Sequence, residues 1–253
     1  MSPPMESADP DAAALATHCP NCGALRDGSY CSGCGQRRSA RITLRGTWRD
    51  GLERLTELDF ALVRTVGALS TRPGPMVREY LSGRRQRYTP PLKYAFIVIT
   101  AFALAIHLLD IDLRLAGAPV ESARDLAAID LIAGLSVYLF FPTAAIAAVL
   151  VWRLHTQFPL NYAEALVLTA YAFTHVHFWN LLVGMTLGYR QWPGTLALLA
   201  GQVAYLAWTL RGCVGVRWRR AIGEAAGLTV AWLMMFNLLA WSLANVAAVM
   251  GRL

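Results

Sequence analysis

The stretch 91–110, PLKYAFIVITAFALAIHLLD, constrains this chain more than any other. From 92 to 109 it is apolar apart from Lys93 at its edge. At about 1.5 Å per residue, a helix of that length covers roughly the 30 Å hydrocarbon core of a bilayer. Four more apolar segments follow, at 131–152, 165–189, 195–210 and 225–250. With 56% hydrophobic and only 15% charged residues, the chain is too apolar for an ordinary soluble domain. The expected fold class is an all-α polytopic membrane protein with five transmembrane helices. The fourth segment is short and reaches towards Val216 if Arg211 snorkels, and Pro142 interrupts the second.

Charge sets the expected orientation. Residues 1–93 carry 14 Arg/Lys against 9 Asp/Glu. With the N-terminus inside, 19 Arg/Lys fall on the cytosolic side and 4 outside. The positive-inside rule then gives a cytosolic N-terminus and a C-terminus on the far side of the membrane. Residues 1–17 hold three acidic residues and no apolar core, so they read as a disordered leader and not a secretory signal. The acidic loop 110–130 reads as a solvated linker.

Residues 18–38 hold the chemistry. Cys19 and Cys22 form one C-x-x-C, Cys31 and Cys34 a second, and a glycine follows each pair at Gly23 and Gly35. A tight turn converges two thiolates, and a glycine there accepts positive φ. In a reducing cytosol such pairs hold metal and not disulfides. Four sulfurs close a tetrahedral shell, so the expected cofactor is one structural Zn2+, although iron fits the same cage. The segment containing Asp27-Gly28 suits a minimal hairpin, and His18 adjoins a shell that is already full.

Residues 42–90 read as amphipathic and basic juxtamembrane helices. Leu44, Trp48, Leu52, Leu55, Leu58, Leu62, Val66 and Leu69 recur at helical spacing, with charge on the other faces. Asp59 can restart the helix as an N-cap, and Pro75 suits the first residue of the next one. Arg84, Arg85, Arg87 and Lys93, with Tyr88 and Tyr94 interleaved, form a basic cluster before the first span. Beside a bilayer, headgroup contact accounts for it better than nucleic acid does.

The order C-P-x-C-G, C-x-x-C-G-Q, T-L-R-G-x-x-R-D, R-P-G-P-M-V-R-E-Y-L-S-G-R-R-Q-R-Y-T-P-P-L-K-Y, running into a span, resembles a bacterial family of uncharacterised membrane proteins with an N-terminal zinc ribbon. The resemblance covers Cys19 to about Ala101. It implies membrane location and a zinc ribbon, and it carries no known activity.

Polar residues inside spans are costly, so they mark either helix packing or a site. Thr174, His177, Asn180 and Gly184 fall on one stripe of the third span, with His175 about 200° from His177. Thr100 and His107 share a face of the first span, Gln202 lies in the fourth, and Asn237 and Asn245 lie in the fifth. No metalloprotease, serine-hydrolase or nucleotide-binding motif is present, and no carboxylate sits at the centre of a span. The sequence therefore points to a non-enzymatic protein of bundle 91–253, whose ribbon docks a protein partner at the bilayer. The alternative is a small transporter or intramembrane enzyme using the polar residues of the third span, His177 first.

Overall fold

The structure, a computed structural model, describes residues 18–25, 28–36, 42–44, 60–109, 123–154, 160–187 and 191–249. Over 123–138 it describes the backbone alone, as it does at 236, 240, 243–244 and 247–249. The leader 1–17, Asp27, most of the predicted stripe between 45 and 59, and the acidic loop 110–122 lie outside the described residues.

Among the described residues, seven helices follow the small cysteine module: α1 (Phe60–Thr71), α2 (Pro73–Leu81), α3 (Pro91–Leu108), α4 (Ala123–Leu154), α5 (Tyr162–Leu187), α6 (Trp192–Val214) and α7 (Trp218–Val249). No strand occurs among the described residues, only an isolated bridge between His18 and Leu25. The first turns of α2, α3 and α6 each contain a proline, which suits positions whose amide has no helical acceptor. In α2 the helix begins at Pro73 and not at Pro75, because Thr71-Arg72 already breaks α1.

Among the described residues, four helices are long and apolar enough to cross a membrane: Pro91–Leu108, Tyr162–Leu187, Trp192–Val214 and Trp218–Leu239. The remaining expected span, 131–152, falls on α4, a continuous helix whose described apolar part is Leu139–Leu154. Pro142 is accommodated without ending it, and the Thr143 hydroxyl is shared between the Leu139 and Phe140 carbonyls.

Helix α5 is the hub. It packs on α1, α2, α3, α4 and α6, and every residue from Tyr171 to Val176 is buried. Trp232 of α7 stacks on Phe173 of α5 at 4.5 Å between ring centroids, while α7 packs chiefly on α6 and α4. The pair α1–α2 is wedged against α5 and α6. Leu69 of α1 is fully buried and its carbonyl accepts the Tyr205 hydroxyl of α6. The opposite face of α1 carries Phe60 and Val63, exposed, so the helix presents apolar residues on both sides.

Candidate functional site

The cysteine module is built twice on one plan. In the first half, the Gly23 amide donates to the Cys19 carbonyl, and the Cys19 amide to the Ala24 carbonyl, both at 2.8 Å. In the second half, the Gly35 amide donates to Cys31 at 2.8 Å and the Cys31 amide to Gln36 at 2.9 Å. Each turn closes only because the glycine has positive φ, 77° at Gly23 and 69° at Gly35.

The two turns bring Cys19, Cys22, Cys31 and Cys34 together, with all four sulfurs within 4.8 Å of one another. Cys19 and Cys34 lie 3.6 Å apart, and Cys22 and Cys31 3.5 Å apart. These separations are too long for disulfides, and the cysteines are free. They fit the edge of about 3.8 Å that a tetrahedron has when metal–sulfur bonds are about 2.3 Å. Cys19 and Cys31 are buried and Cys22 is exposed. The Cys22 and Cys31 thiols do not ionise alike. For Cys22 the Ala24 amide favours the thiolate, but neighbouring thiols and burial outweigh it and push the group up to about 12. For Cys31 burial opposes ionisation, yet the amides of Cys34 and Gly33 and the Cys22 thiol hold it below its usual value. A cation held by the four sulfurs would favour their thiolate forms. His18 is exposed and takes part in the bridge to Leu25.

The module is seated through Gln36. Its side chain is 6% exposed; Nε2 donates to the Gly83 carbonyl at 2.6 Å, and Oε1 accepts the amides of Arg85 and Gln86. Pro20 lies against Gly83, where an added Cβ would come within 3.0 Å of it. The cysteine module therefore rests on the loop 82–90 that joins α2 to α3. Its other side carries Leu25 and Tyr30, 65% and 60% exposed.

The basic cluster differs from the expected headgroup comb. Arg84 and Arg87 are exposed, but Lys93 is buried, and so are Tyr88 and Tyr94. Tyr88 donates to Glu79 at 2.7 Å and accepts from Arg72, which also pairs with Glu79 at 2.6 Å. The Tyr94 hydroxyl has a buried partner, His175, whereas the Tyr88 hydroxyl meets the half-buried Glu79 and Arg72.

His177 donates through Nδ1 to the Phe173 carbonyl of its own helix, and its ring is edged by Phe102, Phe140 and Trp232. Asn237 and Asn245 each donate to a carbonyl one turn back, at Leu233 and Trp241. Thr100 and His107 are exposed. The histidine that joins helices is His175. Its Nδ1 lies 2.6 Å from the Tyr94 hydroxyl of α3, and its Nε2 3.0 Å from the Ser70 hydroxyl of α1. Sequence spacing within one helix cannot show this, because both partners come from other elements.

A family model described as a protein of unknown function (DUF3667) matches residues 59–103. The chain is similar to that family over α1, α2, the loop beneath the ribbon and most of α3. No curated protein matches the chain, and no solved structure does.

Proposed function

We propose that this chain is a bacterial inner-membrane protein of five spans, N-terminus cytosolic and C-terminus periplasmic, whose zinc ribbon docks a cytosolic protein partner. The zinc would be held by Cys19, Cys22, Cys31 and Cys34, whose donor set and spacing suit a closed structural site with no open position. A module this small buries too little surface to fold alone, so the metal would supply most of its folding free energy.

The observation that carries the docking role is the two-sidedness of the ribbon. One side is fastened through buried Gln36 to the loop before α3, and the other presents Leu25 and Tyr30 to solvent. Two large exposed apolar side chains on a rigid platform suit recognition of a protein surface. The span count rests on α4 joining the four helices of sufficient length, and the orientation on the positive-inside rule.

The test is crosslinking in cells with the Leu25→Ser/Tyr30→Ser double variant. The variant should keep its metal and membrane abundance and lose a partner crosslinked to the wild type. Identical crosslinked species in both would remove the docking role. Reporters fused after Leu253 and near residue 217 should read periplasmic and cytosolic, and the opposite result at either end would overturn the orientation.

A further inference from the structure

A cleft of about 350 Å3 opens on the flank of the bundle between α1, α5 and α6. Trp179, Tyr205 and Trp208 give it an aromatic wall, and no charged side chain lines it. Ser70, Asn180 and Gln202 are its polar lining residues. Gln202 is only 5% exposed, and its amide Nε2 has no hydrogen-bond partner. Leaving such a donor unpaired is destabilising, because its desolvation is not offset by a hydrogen bond. In hydrocarbon there is no water to relieve it. Gln202 lines the cleft, and no described residue supplies an acceptor for this donor.

Ser70 supplies a second donor. The Tyr94 hydroxyl makes no other hydrogen bond among the described residues, so its proton is used only if it donates to His175 Nδ1. The neutral imidazole then carries its own proton on Nε2 and donates it to the Ser70 oxygen. That leaves the Ser70 proton free to point into the cleft. It also removes His175 as a base for Ser70, since Nε2 has no lone pair to offer. The cleft thus presents hydrogen-bond donors without charge, which is the complement of a neutral acceptor.

Depth narrows the ligand further. Gln202 lies near the middle of α6, roughly 15 Å from Trp192 and 18 Å from Val214 at 1.5 Å per residue. A charged headgroup drawn to that depth pays a large desolvation cost, whereas an uncharged lipid does not. The volume lies within the range of small-molecule sites.

We propose that this cleft binds an uncharged lipid through a carbonyl oxygen, which accepts from Gln202 Nε2 and the Ser70 hydroxyl while its apolar remainder lies against Trp179 and Trp208. This rests on the helices crossing a bilayer and is independent of the ribbon's docking role. Extraction of the membranes with alkaline carbonate tests the bilayer premise separately, because a protein released by carbonate would fail there first.

The binding test uses the purified full chain in detergent, with thermal unfolding followed during titration. Dioleoylglycerol and decylubiquinone are the two carbonyl-bearing probes, and dioleoylphosphatidylglycerol is the charged comparison. Two variants accompany the wild type. Gly201→Leu fills the cleft, since Gly201 lines it and a Cβ there meets nothing within 4 Å. Gln202→Leu removes the unpaired donor and should unfold no lower than the wild type without ligand. The expected result is a saturable upward shift with at least one neutral probe, weakened tenfold or more in both variants. A response to dioleoylglycerol assigns a glyceride ester, and one to decylubiquinone a quinone ring. The proposal is overturned if neither neutral probe gives a saturable shift, if the shift survives unchanged in both variants, or if only the phosphatidylglycerol stabilises.

Discussion

Gln36 and Gly83 lie 47 positions apart, and the side-chain amide of the first donates to the backbone carbonyl of the second at 2.6 Å. Through this bond and the Arg85 and Gln86 amides at Oε1, the cysteine module holds the loop that leads into α3. Gln36 directly follows Gly35, so its position depends on the cysteine turn being closed. Metal removal should therefore be felt at the loop. The purified protein should contain one zinc, and chelation or Cys31→Ser should raise tryptic cleavage at Arg84, Arg85 and Arg87 several-fold. Gln36→Leu should raise cleavage similarly while zinc content stays at one. Equal cleavage with and without metal would show that the ribbon does not hold the loop.

The wedge of α2 against α6 depends on two glycines. A Cβ on Gly74 would overlap the backbone of Gly212 and the Cys213 amide nitrogen. Beside this contact the Arg78 guanidinium donates twice to the Cys213 carbonyl, one of those left over at the end of α6. Gly74→Ala should cost about 1–3 kcal/mol, since neither backbone can move aside cheaply. Gly67→Ala, also helical but facing open space, should be neutral or stabilising by up to about 1 kcal/mol. Thermal midpoints in detergent distinguish the two, and a tolerated Gly74→Ala would mean the helices are not in backbone contact.

Glu79 makes the wedge sensitive to acid. Burial pushes its carboxyl up, but the Tyr88 hydroxyl and the Arg72 guanidinium override that and hold it below its ordinary value. A folded pKa below the unfolded one stabilises above the ordinary carboxylate value, about 4.3, and is lost as pH falls through the folded value. Arg72 is 41% exposed at its side chain, so the ion pair itself contributes little. Glu79→Gln should cost about 1 kcal/mol at neutral pH and flatten the fall in stability between pH 5 and pH 3. A variant with an unchanged acid limb would assign that fall to other carboxylates.

How much of this was legible depends on whether the cause was local. Cys19, Cys22, Cys31 and Cys34 converge as their spacing implies, because each C-x-x-C-G turn is set by its own five residues. The spans at 92–109, 165–189, 195–210 and 225–250 fall within or close to α3, α5, α6 and α7, since apolar length is a local property too. Relations between elements were not legible. Lys93, Tyr88 and Tyr94 look like a headgroup cluster along the chain, yet α1, α2 and α5 fold over them and bury all three. Helical periodicity groups His177 with Thr174 and Asn180. Only the placement of α1 and α3 reveals that His175 is the histidine with partners on other helices.

That difference between the two histidines sets the last expectation. His177 donates to Phe173 one turn back, a carbonyl already within its own helix, and its ring sits among three aromatic rings. His177→Gln should leave membrane abundance and thermal midpoint near wild type, because no other helix loses a hydrogen bond. His175 is fully buried and bonded to α1 and α3 at once. In His175→Leu the Tyr94 hydroxyl, itself fully buried, loses its partner, at a cost of about 1–3 kcal/mol. Adding Tyr94→Phe removes the stranded hydroxyl, so the double variant should be more stable than His175→Leu alone. The coupling in that cycle isolates the interhelical bond from the volume change, and pairs of this kind in membranes average about 0.6 kcal/mol. A His177 variant that is lost from the membrane, beside a His175→Leu that is not, would reverse the assignment and return the interior role to the His177 face.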